Sequence, residues 1–208
     1  MSKLKIAVLV SGNGTNLQAL IDKIEEGYMN AEISVVVSNR ENAYGLTRAC
    51  KHNIRTETVD IKARPIKKDR NKELMKVLDE TNVELIVLAG FLEIISDEII
   101  DKYENKIINI HPSLIPSFAG KGYYGEKVHK EVIKSGVKIT GATVHFVNKE
   151  TDGGPIIMQE SVSVDFDDNL SSVKQKVLNI EHEILPLTVK LIAEGKIEVI
   201  ENRVNVKP

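Results

Sequence analysis

The sequence predicts an α/β protein: a mostly parallel, Rossmann-like sheet with flanking helices, followed by a half of mixed strand and helix. Three observations carry this. Short, β-branched apolar runs alternate with helix-periodic segments through residues 1–110. A Gly/Asn/Ser turn joins the first apolar run to the first helical pattern. After Pro112 the rhythm changes, to a Pro/Gly-rich stretch and then two long strand-like runs.

In chain order, residues 5–10 read as a buried strand, because the run is short, apolar and β-branched. Helical periodicity follows at Leu17, Leu20, Ile21 and Ile24, with Gly27 as its expected stop. Thr15 and Gln18 stand at capping-box spacing, which places the start of that helix at the end of the glycine turn. Strands are expected at 33–37, 56–59, 84–89 and 107–110, and helices at 46–51, 68–81 and 96–103. The second half predicts a helix at 126–134, strands at 138–147 and 155–164, and a long helix at 170–193, kinked at Pro186. Residues 197–206 suit a hairpin turning at Glu201-Asn202. No repeat, low-complexity tract or linker interrupts the chain, so a single domain over 1–208 is expected, with halves 1–110 and 111–208.

Composition narrows the class. A hydrophobic fraction of 42%, a charged fraction of 28% and a net charge of −2 are ordinary globular values. They give no basic field to recruit nucleic acid. One cysteine, Cys50, excludes an internal disulfide and any CxxC metal or redox site, which fits a reducing compartment. Apolar runs such as 85–89 are far too short to span a bilayer, and the N-terminus leads straight into a strand, so a soluble cytoplasmic protein is expected.

Two segments carry chemistry. In the turn Ser11-Gly12-Asn13-Gly14-Thr15-Asn16, glycines let backbone N–H groups approach an anion at a helix N-terminus. The same glycines also suit a tight turn that needs φ > 0. A dinucleotide fingerprint needs a glycine where Leu17 stands and an acidic end to the second strand, which instead closes on Ser38-Asn39-Arg40. Arg40 keeps an NADP reading open as the lesser alternative; a single phosphate monoester is the expected ligand.

The second segment is Ile107 to Pro116. Alternation along a strand puts Asn109 and His111 on one face, and Pro112 ends the strand directly after them. An amide and a protonated imidazole side by side suit donation to an oxyanion, hence acyl transfer. A strand-end histidine that only satisfies hydrogen bonds is the alternative. Orienting that imidazole calls for a carboxylate, and Asp152 in Thr151-Asp152-Gly153-Gly154 is the candidate, although Asp-Gly is also plain turn chemistry. Spacing alone does not bring Asp152 to His111.

Seven ordered segments together resemble the phosphoribosylglycinamide formyltransferases. They are KIAVLVSGNGTNLQAL at 5–20, VVSNR at 36–40, LAGFLEIIS at 88–96, NIHPSLIPSF at 109–118, TGATVHFV at 140–147, TDGGPIIMQ at 151–159 and EHEILP at 181–186. The resemblance implies a formyltransferase-type second half. It also implies transfer of the formyl group of 10-formyltetrahydrofolate, as co-substrate, to the amine of glycinamide ribonucleotide without a metal. Asn109, His111 and Asp152 fall on the family's catalytic positions. Gly12, Asn13, Gly14, Thr15, Asn16 and Glu181 fall on its phosphate- and sugar-binding positions. Lys67, Leu92, Glu93, Ile94, Ile95 and Asn109 fall on its folate-binding positions, although ordinary core packing is as good a reading of the three aliphatics. His145 and Thr143 look like supporting residues.

Two departures stand out. Lys67 and Glu93 occupy positions where many relatives carry arginine, and the Ala119–Gly125 stretch is longer than in some members, which suits either a lid over the folate or a plain surface loop. Ile115-Pro116 is a candidate cis bond. Methionyl-tRNA formyltransferases resemble the chain around NIHPSLIP but carry a further RNA-binding domain, and formyltetrahydrofolate hydrolases carry a regulatory one. The expectation is therefore a monomer or weak homodimer that engages small molecules, with neither nucleic acid nor membrane as a partner.

Overall fold

The computed structural model describes residues 2–207. By their contacts these residues form two units, Met1–Ile108 and Asn109–Pro208.

The first unit is built on four parallel strands. Its elements run β1 (Leu4–Val10), α1 (Thr15–Glu25), β2 (Ala31–Ser38), α2 (Tyr44–Lys51), β3 (Thr56–Thr58), α3 (Lys67–Glu80), β4 (Leu85–Leu88) and α4 (Asp97–Lys102). The strand order is β3-β2-β1-β4, and each neighbouring pair is parallel. β1 is the central strand. It pairs with β2 along one edge, Leu4↔Ala31 to Val10↔Ser38, and with β4 along the other, Ile6↔Leu85 to Leu9↔Leu88. Ile6 to Val10 are fully buried, which is why this strand reads as an unbroken apolar run. The order runs outward from β1 to β2 and β3 and then returns to β4 on the other side of β1. The chain therefore reverses direction across the sheet between β1 and β4, and ligands of open α/β sheets bind beside such a reversal point.

That reversal point is tied together by hydrogen bonds. Ser11 N–H donates to the Gly90 carbonyl (3.1 Å), Leu92 N–H donates to Ser11 Oγ (2.8 Å), and Ser11 Oγ–H donates to Asn39 Oδ1 (2.7 Å). The start of α1 lies where expected, but the capping box is absent. Thr15 is the first helical residue, the cap position is Gly14 in the left-handed region (φ 67°), and no side chain caps the helix. The reason is tertiary: a Cβ on Gly14 would lie 2.7 Å from the backbone Cα of Gly45, so the loop is shaped by α2 and not by its own side chains.

The second unit opens on the end of β5 (Ile107–His111) and continues with α5 (Glu126–Ser135), β6 (Ile139–Phe146), β7 (Ile156–Ser163), α6 (Leu170–Ala193), β8 (Ile197–Ile200) and β9 (Arg203–Val206). β6 lies between β5 and β7 and runs antiparallel to β7. α6 packs on both β6 and β7 with a stripe of Val173, Val177, Ile180 and Ile184. Its start is capped by Asn169 Oδ1, which accepts from Ser171 N (2.9 Å) and Ser172 N (3.2 Å), while Ser172 Oγ accepts from Asn169 N (2.9 Å). α6 runs unbroken through the buried Pro186. β8 and β9 form the expected hairpin, with Glu201 at φ 56° in its turn. The Ile115-Pro116 bond is cis. Among the described residues no helix is long and apolar enough to cross a membrane.

One glycine makes the β6–β7 pairing possible. An ideal Cβ at Gly141 would fall inside the van der Waals shell of the Glu160 carbonyl on the partner strand, and 2.9 Å from Leu114 Cδ2. Gly141→Ala forces two hydrogen-bonded strands apart and should cost about 3 kcal/mol. The melting midpoint then falls by roughly 6–12 °C relative to wild type. An unchanged midpoint in thermal denaturation would show that the strand pair yields without cost.

Candidate functional site

The first site lies in the first unit. Gly12 and Asn13 are exposed, Gly14 and Asn16 are buried, and Thr15 is half-buried, so the loop presents its backbone to solvent while its second half is anchored. Its amides stand at the N-terminus of α1, where partial positive charge favours an anion. Arg40 is exposed just beyond β2, where Ser38 Oγ–H donates to its carbonyl (2.9 Å).

The segment between β4 and α4 holds the aliphatic residues expected to face a folate, and these part company. Ile95 is buried in the core (5% exposed), whereas Leu92 and Ile94 project into solvent at 47% and 64%. Glu93 is held by Arg70, whose Nη2 and Nε both donate to Glu93 Oε1, at 2.6 and 2.9 Å. Arg70 Nη1 also donates to the carbonyls of Arg64 (2.6 Å) and Pro65 (2.9 Å), so this nearly buried ion pair ties the segment to the loop before α3. The slot lined by Phe91, Glu93, Ile94 and Arg70 measures about 10 Å³, room for a water and no more. Lys67, the first residue of α3, is exposed.

The second site lies wholly within the second unit, and it brings Asn109, His111 and Asp152 together. His111, at the end of β5, is 4% exposed. Its Nε2–H donates to the Phe118 carbonyl (2.9 Å), which leaves Nδ1 facing Asp152 Oδ2 at 3.7 Å. The same carboxylate oxygen accepts the Gly120 N–H (2.8 Å), and Oδ1 lies 3.8 Å from His145 Nε2. Asn109 Nδ2 donates to His145 Nε2 (3.1 Å), while His145 Nδ1–H donates to the Phe146 carbonyl (2.8 Å). This arrangement makes His145 the neutral Nδ1–H tautomer, and burial, which pushes its pKa down, acts in the same sense. Asn109 keeps its second amide N–H for a ligand.

Thr143, two residues before His145 on β6, holds the turn after β5. Its Oγ–H donates to the Ser113 carbonyl (2.6 Å), and its Oγ accepts the Ile115 N–H (3.1 Å). A cavity of about 470 Å³ opens beside Asp152, walled by Ile115, Pro116, Gly153, Ile156 and Arg203. Glu181 is buried on α6. Among the described residues no three His, Cys, Asp or Glu side chains converge as metal ligands. Sequence reasoning missed Arg70, Phe118 and Gly120. The last two act through backbone atoms that leave no signature, whereas Arg70 sits four residues before the buried Leu74 on the inward stripe of α3.

The fold and these two sites define an α/β protein with a glycine loop at a helix N-terminus in one unit and an Asn–His–Asp cluster at a strand end in the other. The chain belongs to the formyl transferase family: the family profile described as Formyl transferase matches residues 4–189. It is 43% identical over 95% of its length to the trifunctional purine biosynthetic protein adenosine-3 of Gallus gallus, of which it spans only 19%. It is 36% identical to the phosphoribosylglycinamide formyltransferase of Escherichia coli K12, over 96% of this chain and 92% of that one. Among solved structures, glycinamide ribonucleotide transformylase 1 from Symbiobacterium toebii superposes with a TM-score of 0.93 at 36% identity, covering 99% of this chain and 95% of the other.

A further buried histidine should contribute to a loss of stability in acid. His129 on α5 is 5% exposed, and its Nδ1 makes no hydrogen bond among the described residues. Burial, then the positive charge of Lys174, hold its pKa at about 4, below the ordinary 6.5. The folded state therefore keeps it neutral while the unfolded chain takes up a proton near 6.5. The contribution of His129 to stability should be lost as pH drops from about 6.5 to 4, with no further loss from this group below that. In urea titrations at pH 7 and 4.5, His129→Leu should lose less stability than wild type, the remainder coming in part from His145. Equal losses in both proteins would show that His129 is not responsible.

Proposed function

We propose that this chain transfers the formyl group of 10-formyltetrahydrofolate to the amine of glycinamide ribonucleotide. The observation that carries the reading is the cluster of Asn109, His111 and Asp152 at one strand end, in a chain similar over its length to a phosphoribosylglycinamide formyltransferase. The glycine loop takes the phosphate of the ribonucleotide, and Glu181 takes its sugar. Leu92 and Ile94 cover the folate and the exposed Lys67 lines the approach, while Ile95 packs beneath them in the core and the Glu93–Arg70 pair holds their segment in place.

In the reaction the substrate amine bonds to the formyl carbon and the carbonyl π electrons move to oxygen. Asn109 Nδ2–H and the Nδ1–H of protonated His111 donate to that oxyanion. The bond from the formyl carbon to the folate nitrogen then breaks, and the proton lost by the amine passes to that nitrogen, with Asp152 relaying it. Asp152 also stabilises the charged imidazole, while the Phe118 carbonyl and His145 keep both donors aimed. No metal enters this scheme. We further propose that the two units act as one domain, in a cytoplasmic monomer or weak homodimer that binds neither nucleic acid nor membrane.

The test follows absorbance as deformylated folate appears, with and without the ribonucleotide. Turnover should require the ribonucleotide, and His111→Ala and Asp152→Asn should each lower kcat by about 10²–10³ with unchanged circular dichroism. Turnover without an amine would instead mark water as the acceptor, and no turnover at all would refute the transferase reading.

A further inference from the structure

The phosphate loop is held open from outside, by α2. A loop that offers its amides to an anion must turn its carbonyls away, because their negative ends repel the same ligand. Two successive carbonyls here are pinned in that orientation by one neighbouring helix. The Gly12 carbonyl accepts the Gly45 N–H at 3.0 Å, and the Asn13 carbonyl accepts Arg48 Nε–H at 2.8 Å. The second arm of the arginine, Nη1, donates to Gln18 Oε1 (3.1 Å) in the first turn of α1. Gln18 in turn donates through Nε2 to Asp22 Oδ1 (2.8 Å), which fixes its amide with the oxygen towards Arg48. Arg48 thus bridges the loop to the helix whose N-terminus completes it, and its Cδ would lie 3.7 Å from a Cβ on Gly14.

Arg48 also carries charge that nothing nearby cancels. Arg55 pairs with Glu57 and Glu80, and Arg70 pairs with Glu93, but Arg48 meets no carboxylate among the described residues. It lies over the ring of Tyr44, 5.0 Å from the centroid, a contact that orients the guanidinium without neutralising it. Its two hydrogen bonds leave the remaining guanidinium N–H groups unspent.

We propose that Arg48 is the positioning residue for the phosphate of the substrate: it shapes the loop through the Asn13 carbonyl and adds a fixed positive charge that favours a dianionic phosphate monoester. This rests on the phosphate reading of the loop. Arg48 touches neither reacting atom, so its loss weakens capture of the ribonucleotide and leaves the chemical step alone.

The experiment compares wild type, Arg48→Met and Arg48→Lys in steady-state kinetics and in calorimetric titration with inorganic phosphate. Arg48→Met should raise the KM for the ribonucleotide and the Kd for phosphate about tenfold, with kcat and the folate KM within about twofold of wild type. The dependence of ribonucleotide capture on salt should flatten in Arg48→Met and return in Arg48→Lys, which keeps the charge but loses the fork to Gln18. Unchanged ribonucleotide KM and phosphate Kd in Arg48→Met would overturn the proposal. So would a parallel rise in both substrate KM values with a lowered melting midpoint, the mark of a merely structural residue. Wild-type protein that binds no phosphate would refute the reading of the loop itself, and this proposal with it.

Discussion

The polar end of the second unit depends on one carboxylate. Asp152 sits in a left-handed turn conformation (φ 55°), with its side chain 11% exposed. A carboxylate so enclosed must be met by donors or positive charge. It is met by the Gly120 amide in the loop before α5, which donates to Oδ2, and by His111 at the end of β5, while Oδ1 lies beside the neutral ring of His145 on β6, whose Nε2 accepts from Asn109. Each group is steadied in turn by a backbone carbonyl or a neighbouring side chain, so the orientation of the imidazole, the aim of the Asn109 amide and the path of the loop are parts of one network. Such a network is worth more than its separate pairs, because each bond polarises and restrains the next.

The first unit solves a different problem, how to turn a glycine-rich loop towards solvent without losing the fold. It does so with glycine and with a second helix. Gly14 and Gly45 bring two backbones into direct contact, and α2 takes up two successive carbonyls of the loop.

Much of this was legible in the sequence, and the limits are instructive. β1 and β4 are buried on both faces, so they read as continuous apolar runs and their ends fall within a residue or two of expectation. Alternation placed Asn109 and His111 together for the same geometric reason. The helix start at Thr15 was found through a capping box that does not exist, because what shapes that turn is Gly45, which no local pattern links to it. Arg70 reads as one more solvated charge in a charged helix, and only the fold brings Glu93 to it. Asp152 was nameable but not placeable, since a contact between residues 111 and 152 has no periodic signature. The Phe118 carbonyl and Gly120 amide were invisible, because every residue other than proline carries the same backbone groups.

The central position of β1 has a consequence for how the chain is made. As it leaves the ribosome, β1 can pair with β2 once residue 38 has emerged, but its other edge waits for Leu85 to Leu88. For some fifty residues of synthesis (50 from Ser38 to Leu88) the nascent chain presents the apolar edge of Ile6 to Leu9 with no partner. An unpaired apolar edge of this kind is a template for wrong pairing with other chains. Parallel sheets also form slowly, because distant segments must meet before any contact rewards them. Translation speed over residues 38–88, and the holding chaperones available during it, therefore bear on yield.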